Sequence, residues 1–388
     1  MYPKLFLVAY VVATGAWLMM SHGLIDRSGQ PLGADFVNVW AASASALKGE
    51  PAAAYDIGRH HAEEKAALGR NDVPFYGWHY PPMFLLIVLP LALLPYLWAL
   101  VIWMSLTLGG YLVVLRRVAP GRQALWLAIA FPGALINFAN GQNGFLTVAL
   151  FGGGLILLEQ SPIAAGALFG LMIYKPQFGA LIPLALLADR RWRALSAACL
   201  ASAVFATASL AIFGEATWRA FLDSIAFTRG MVLEQGAFGF YKLQSVFGAV
   251  RLWGGSIHAA YAAQVLIAIY AAVAVVWVWR AKSSFALKAA VLSAGSLLVS
   301  PYVLDYDLVL LALPIAWFAM EGCEHRFLPF EKSGLVAAWI LPFISRIVAA
   351  ATMVPIGPML NIGLLALILR RVAHGEPTPT VDVGSAQS

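Results

Sequence analysis

Asp35 lies in Gly33-Ala34-Asp35-Phe36, shortly after the first membrane-length apolar segment of a chain that spends carboxylates sparingly. Such a carboxylate can act as a general base, taking the proton of an attacking hydroxyl, or it can be an ordinary solvated loop acid. Asn140-Gly141-Gln142-Asn143 joins two strongly apolar stretches. Gly141 suits a tight turn. The three amides of Asn140, Gln142 and Asn143 also supply donors and acceptors that match sugar hydroxyls.

Lys175-Pro176-Gln177 interrupts an apolar stretch from Ile163 to Leu187, where the proline breaks the helix beside the lysine. A cation at that depth either snorkels to the surface or binds an anion such as the phosphate of a lipid carrier. Ser300-Pro301-Tyr302, followed by Asp305-Tyr306-Asp307, opens an apolar helix. Its acids fit dipole compensation in a first turn, and ligand contact by one of them is the other reading. Asp305 and Asp307 do not share a helical face, so their spacing implies no metal pair.

His79-Tyr80-Pro81-Pro82 closes the first long polar segment. Its prolines set the entry of the next helix, and its aromatic rings could stack on sugar or prenyl groups. A helix is expected from Ala52 to Leu68, with Arg59, His60, Glu63, Glu64 and Lys65 on a water-exposed face. His60 and His61 are adjacent, a poor spacing for two metal ligands on one face, and are read as solvent-facing.

The elements that must position these groups are membrane helices. The chain has 388 residues, is 61% hydrophobic and 11% charged, and repeatedly shows apolar runs near the length that crosses a bilayer. Leu5 to Met20 follows only Lys4 and has no small-residue cleavage pattern after it, so it reads as a retained helix. Cys199 in an apolar run and Cys323 in a charged loop do not make a disulfide framework. The net charge of +6 resides mostly in short-loop arginines, a topological signature and no sign of a nucleic-acid partner.

Arg116-Arg117 to Arg122, Arg190-Arg191-Trp192-Arg193, Arg280-Ala281-Lys282, the Glu321 to Lys332 loop and Arg370-Arg371 are therefore assigned to the cytoplasm. Crossings are expected near 4–21, 96–116, 123–139, 143–158, 162–174, 176–188, 194–213, 257–279, 286–299, 304–320, 333–351 and 356–370. Pro82 to Leu94 is too short and proline-bounded to cross, and reads as re-entrant or interfacial. The outcome is an all-α polytopic protein of about 12 crossings, one domain over 1–371, with long outer loops at 22–80 and 214–256. Residues 372–388 are expected as a disordered cytoplasmic tail. Asp35, the 140–143 turn, Lys175, the 214–256 loop and the 300–307 segment then share the outer side, as one outward-opening site would require.

In order and in shared side, Gly33-Ala34-Asp35-Phe36, Tyr80-Pro81-Pro82, Gly141-Gln142-Asn143, Lys175-Pro176-Gln177 and Ser300-Pro301-Tyr302 with Asp305 carry a resemblance. The chain resembles glycosyltransferase family 87, the polyprenol-phosphate-mannose-dependent mannosyltransferase-like proteins, over nearly the whole membrane region. The resemblance implies a GT-C-type helical bundle in a bacterial inner membrane, with the active site facing the periplasm or exterior. It implies a polyprenyl-phosphate-linked sugar donor, a glycan or glycolipid acceptor, and a membrane-lipid setting. Asp35 would be the base and the anomeric configuration would invert. The phosphate would be balanced by Lys175 first, then Lys242 and Arg229. Sugar or acceptor would meet Asn140, Gln142, Asn143, Gln177, His79, Tyr80, Tyr302 and Asp305. The scheme needs no metal or other cofactor, and no glycine-rich loop after a strand marks a nucleotide site. A transporter or flippase of lipid-linked or small polar solutes is the competing class, since it too would carry broken helices and intramembrane polar groups.

Overall fold

The computed structural model describes residues 2–375, and residues 376–388 of the expected tail lie outside them. Among the described residues the chain is helical, and its only β pairing is three isolated bridges. In order, it forms α1 (Tyr2–Met19), α2 (Phe36–Leu47), α3 (Ile57–Leu68), α4 (Met83–Val88), α5 (Tyr96–Val118), α6 (Arg122–Ile129), α7 (Pro132–Ala139) and α8 (Gly144–Leu157). There follow α9 (Pro162–Leu171), α10 (Pro176–Gly179), α11 (Ile182–Ala188), α12 (Trp192–Thr228), α13 (Val246–Leu252) and α14 (Ile257–Arg280). The last are α15 (Phe285–Val299), α16 (Ala312–His325), α17 (Glu331–Ile340), α18 (Pro342–Thr352) and α19 (Ile356–His374). The last helix thus carries the chain past residue 372, where the tail was expected to begin.

This is an integral membrane protein. Five helical stretches are individually long and apolar enough to cross a bilayer: Tyr96–Val118, Trp192–Glu234, Ile257–Arg280, Asp305–His325 and Ile356–His374. The remaining expected crossings are occupied by shorter apolar helices. Prolines account for much of the shortening: Pro132, Pro162 and Pro176 each open a new helix where an apolar run would otherwise continue. The expected crossing at 333–351 is the clearest departure, because α17 and α18 meet at a bend of 74°. Gly214, with φ 77, breaks α12 at the end of the expected 194–213 crossing. The following segment, expected as a loop, continues as helix to Thr228.

Small residues let the bundle pack closely. Gly166 and Gly170, one turn apart on α9, face α12, where an added Cβ would sit 2.6 Å from the Ala197 and Ala201 methyl carbons. This is the small-xxx-small contact by which helices approach in lipid, where packing replaces the aqueous hydrophobic drive. The short apolar α4 is not lipid-facing. Phe84, Leu85 and Val88 are fully buried, and Phe84 stacks on Tyr174 with ring centroids 4.8 Å apart.

The expected exposed face of the 52–68 helix is corrected. A 3-10 turn, Pro51–Tyr55, precedes α3, and Asp56 caps α3 by accepting from the Arg59 backbone N–H. His60 and Glu64, one turn apart, face inward and are fully buried. Their polarity suggested water; the irregular segment 73–80 covers them instead, with Phe75 edge-on to His60 and the Tyr76 N–H donating to Glu64.

Candidate active site

Asp35 occupies the N-cap position of α2, yet its side chain makes no capping bond. It turns instead toward the 140–143 turn, where Gln142 Nε2 donates to its Oδ2 at 2.7 Å. Two backbone features bring these segments together. Gly33 and Gly141 both adopt left-handed φ, +76 and +62, which glycine tolerates without the Cβ penalty. At Gly141 an added Cβ would also stand 2.6 Å from the Gly33 carbonyl oxygen, so the turn packs directly on the Asp35 loop. Asn137 fastens the turn from within, accepting from the Gly144 N–H and donating to the Gln142 carbonyl.

Around this pair lies a cavity of about 240 Å³. That is below the roughly 300–1,000 Å³ of sites that hold drug-sized ligands, so it suits a small polar group. One wall is the segment 73–80, which has no regular secondary structure and is held by side chains. Tyr55 donates to the Tyr80 carbonyl at 2.8 Å, and the Tyr76 hydroxyl donates to Gln30. His79 Nδ1 lies 2.9 Å from Thr228 Oγ1, linking the segment ahead of α4 to the end of α12. The opposite wall combines Phe238 and Lys242 with Tyr302, Asp305 and Tyr306. Those two segments are tied together where the Gln244 N–H donates to the Val303 carbonyl at 2.7 Å and the Ser245 hydroxyl donates to the Pro301 carbonyl at 2.7 Å.

The electrostatics favour a proton acceptor. Burial pushes the Asp35 carboxyl up to about 6, and nearby Asp305 adds to the rise, while the Gln142 donor and Lys242 hold it down. Burial also keeps His79 neutral, pushing it down to about 4. Two cations share the cavity with Asp35: Lys242 and Arg346. Arg346 donates to Asp305 Oδ2 at 3.2 Å and remains 44% exposed, so part of its guanidinium is free for an anion.

Of the residues singled out in the sequence, Asp35, His79, Tyr80, Asn140, Gln142, Lys242, Tyr302 and Asp305 line this cavity. Four do not. Arg229 is 61% exposed and paired with Glu234 at 3.2 Å. Gln177 is half-buried away from the cavity. Lys175 and Asn143 are buried behind the turn, where the lysine donates to Asp307 at 2.6 Å and to Asn143 Oδ1 at 2.9 Å. Lys175 therefore already has its counter-ion. Among the described residues, no three His, Cys, Asp or Glu side chains gather as a metal-binding group.

Arg346 is the main residue that the sequence reading missed. It was hidden inside an expected crossing, although an arginine in the middle of an apolar run is itself a functional signal. The bend at Pro342 makes α18 an amphipathic helix that buries Pro342, Ser345 and Ala349 and turns Arg346 to the cavity.

Residues 78–301 match the model of glycosyltransferase family 87. The match includes Tyr80, Gln142 and Lys242; Asp35, Asp305 and Arg346 lie beyond its ends. No curated protein and no solved structure matches the chain.

Proposed function

Because the chain belongs to glycosyltransferase family 87, we propose that the Asp35 cavity transfers a hexosyl group from a polyprenyl-phosphate carrier to a hydroxyl acceptor. The observation that carries this reading is one cavity in which a carboxylate with a raised pKa, fixed by Gln142, faces Lys242 and Arg346.

Asp35 Oδ2 is held by Gln142, leaving Oδ1 to receive a proton. The acceptor oxygen attacks the anomeric carbon from the Asp35 side as its proton passes to that carboxylate. The bond from the anomeric carbon to the phosphate oxygen breaks, and its electron pair leaves with the phosphate. Attack opposite the leaving group inverts the anomeric centre. Charge gathers on the departing phosphate, and Arg346 and Lys242 are the cations within the cavity that would stabilise it. This assignment supersedes Lys175, whose ammonium is spent on Asp307, and Arg229, which stands outside.

The donor sugar is proposed as mannose from the family resemblance. His79, Tyr80 and Tyr302 offer rings and hydroxyls to the sugar, and Asn140 an amide at the rim. The wider architecture proposed is a GT-C-type bundle of about 12 membrane helices with this cavity on the outer side, set by the arginine-rich loops at the other end. The prenyl tail would run between helices into lipid.

Purified protein supplied with polyprenyl-phosphate-mannose and an acceptor lipid fraction should release polyprenyl phosphate, and Arg346→Gln should raise the KM for donor. An unchanged donor KM in that variant contradicts the phosphate assignment.

A further inference from the structure

The buried pair Lys175 and Asp307 has no role in the reaction as drawn, yet their side chains are 3% and 1% exposed and make a short contact. Burying two charges is costly unless the geometry is useful. The use becomes visible at Gln142. Its Oε1 accepts from the Tyr80 hydroxyl at 3.1 Å and from the Asn143 backbone N–H at 3.2 Å. A backbone N–H can only donate, so reversing the amide would set its NH2 against a donor. The oxygen is thereby fixed toward Asn143, and Nε2–H is left pointing at Asp35.

Residue 143 is anchored in turn. Lys175 Nζ donates to Asn143 Oδ1 at 2.9 Å and to Asp307 Oδ1 at 2.6 Å, while Asp307 Oδ2 accepts from the Leu304 N–H at 3.0 Å. The ammonium forces the amide oxygen of Asn143 toward itself even though Asn143 Nδ2 is then buried without a partner. A continuous line of contacts runs from Leu304 through Asp307, Lys175, Asn143 and Gln142 to Asp35.

We propose that Lys175 and Asn143 are positioning residues: they lock the Gln142 amide in the orientation that donates to Asp35, and neither binds the donor phosphate. The inference rests on Asp35 being the base proposed above, but the test reads Asp35 itself and needs no substrate. The charged or titratable groups around Asp35 are Glu64 and His79 from the first outer segment, Lys242 from the second, Asp305 and Asp307 from the 305–311 turn, and Arg346 from α18. The buried Tyr306 and the half-buried Tyr76, Tyr80 and Tyr302 complete the surroundings. A neutral change at position 142 or 143 adds or removes no charge among these groups; Gln142→Met also takes away the acceptor of the Tyr80 hydroxyl, which Asn143→Leu leaves in place.

The experiment is an infrared pH titration of the purified protein in lipid nanodiscs, using the wild-type minus Asp35→Asn difference to isolate the protonated Asp35 carboxyl band. Asn143→Leu and Gln142→Met should each raise its midpoint by about one pH unit, because the carboxylate loses an oriented donor. The double variant should shift no further than Gln142→Met alone. Lys175→Met strands Asp307 and endangers folding, so the neutral Asn143→Leu carries the test and Asn143→Ala repeats it with the ion pair intact. An unmoved midpoint in both, or a shift at 143 that persists in full beside Gln142→Met, overturns the proposal. Full turnover by Asp35→Asn would instead remove the base assignment while leaving the titration result standing.

Discussion

Gln142 Nε2 donates to Asp35 Oδ2 at 2.7 Å across 107 residues of sequence, joining the segment that leads into α2 to the turn between α7 and α8. One amide thus does two jobs: it aims the carboxylate into the cavity and limits how far burial raises its pKa. The balance reached, near 6, leaves Asp35 ionised at neutral pH yet more basic than an ordinary aspartate.

The pH profile follows directly. A base must be deprotonated, so kcat/KM should fall as pH drops through about 6, losing roughly tenfold per unit below it. Initial rates from pH 4.5 to 8 check this. An acid limb near the ordinary aspartate value of 3.8 would contradict the burial-driven shift.

The two cavity cations should separate from the one outside. Arg346→Gln and Lys242→Gln are each expected to lower kcat/KM by about 10- to 100-fold, the scale of one charge-assisted hydrogen bond. Arg229→Gln, exposed and paired only with Glu234, should leave the kinetics within about twofold of wild type. Equal losses in all three variants would undo the division.

The close approach of the 140–143 turn to the Asp35 loop can be tested by one methyl group. Gly141→Ala meets both an unfavourable φ and the Gly33 carbonyl, a destabilisation on the order of 2–4 kcal/mol. Thermal unfolding in detergent should show a clear drop in Tm together with lost activity. Gly109→Ala on α5, with open space around it, is the control.

The buried pair on α3 predicts how stability depends on pH. Burial pushes Glu64 up to about 8 from its usual 4.5, so the folded protein prefers the protonated acid. Stability is therefore lost as pH rises from 4.5 through 8. His60, pushed down to about 3, is neutral on both sides of folding above its usual 6.5 and adds no slope there. Between pH 7 and 8.5 the wild-type Tm should fall, and Glu64→Gln should flatten that fall. Equal slopes would show that Glu64 is not the group responsible.

Much of the helical plan was legible because membrane helices announce themselves by length and apolarity, and α5, α14 and α19 fall within a few residues of the expected spans. So was the gathering of Asp35, Gln142, Tyr80 and Lys242, since sparse polar residues at one end of apolar helices have few places to go. What could not be read was pairing. Lys175 looked like an available cation because its partner, Asp307, lies 132 residues away. His60 and Glu64 looked solvated because the segment that covers them is irregular and carries no periodicity. Arg346 was absorbed into an apolar span because a 74° bend at Leu341-Pro342 is not specified by composition. Long-range contacts and backbone breaks, rather than local propensity, account for each of these differences.

The central claim is that Asp35 is the base for sugar transfer, and turnover of the Asp35→Asn protein tests it most directly. With polyprenyl-phosphate-mannose and acceptor, the variant should fold with a Tm near wild type while release of polyprenyl phosphate falls by about 1,000-fold or more, the upper range for removing a general base. Wild-type release rates from a folded Asp35→Asn protein would contradict it.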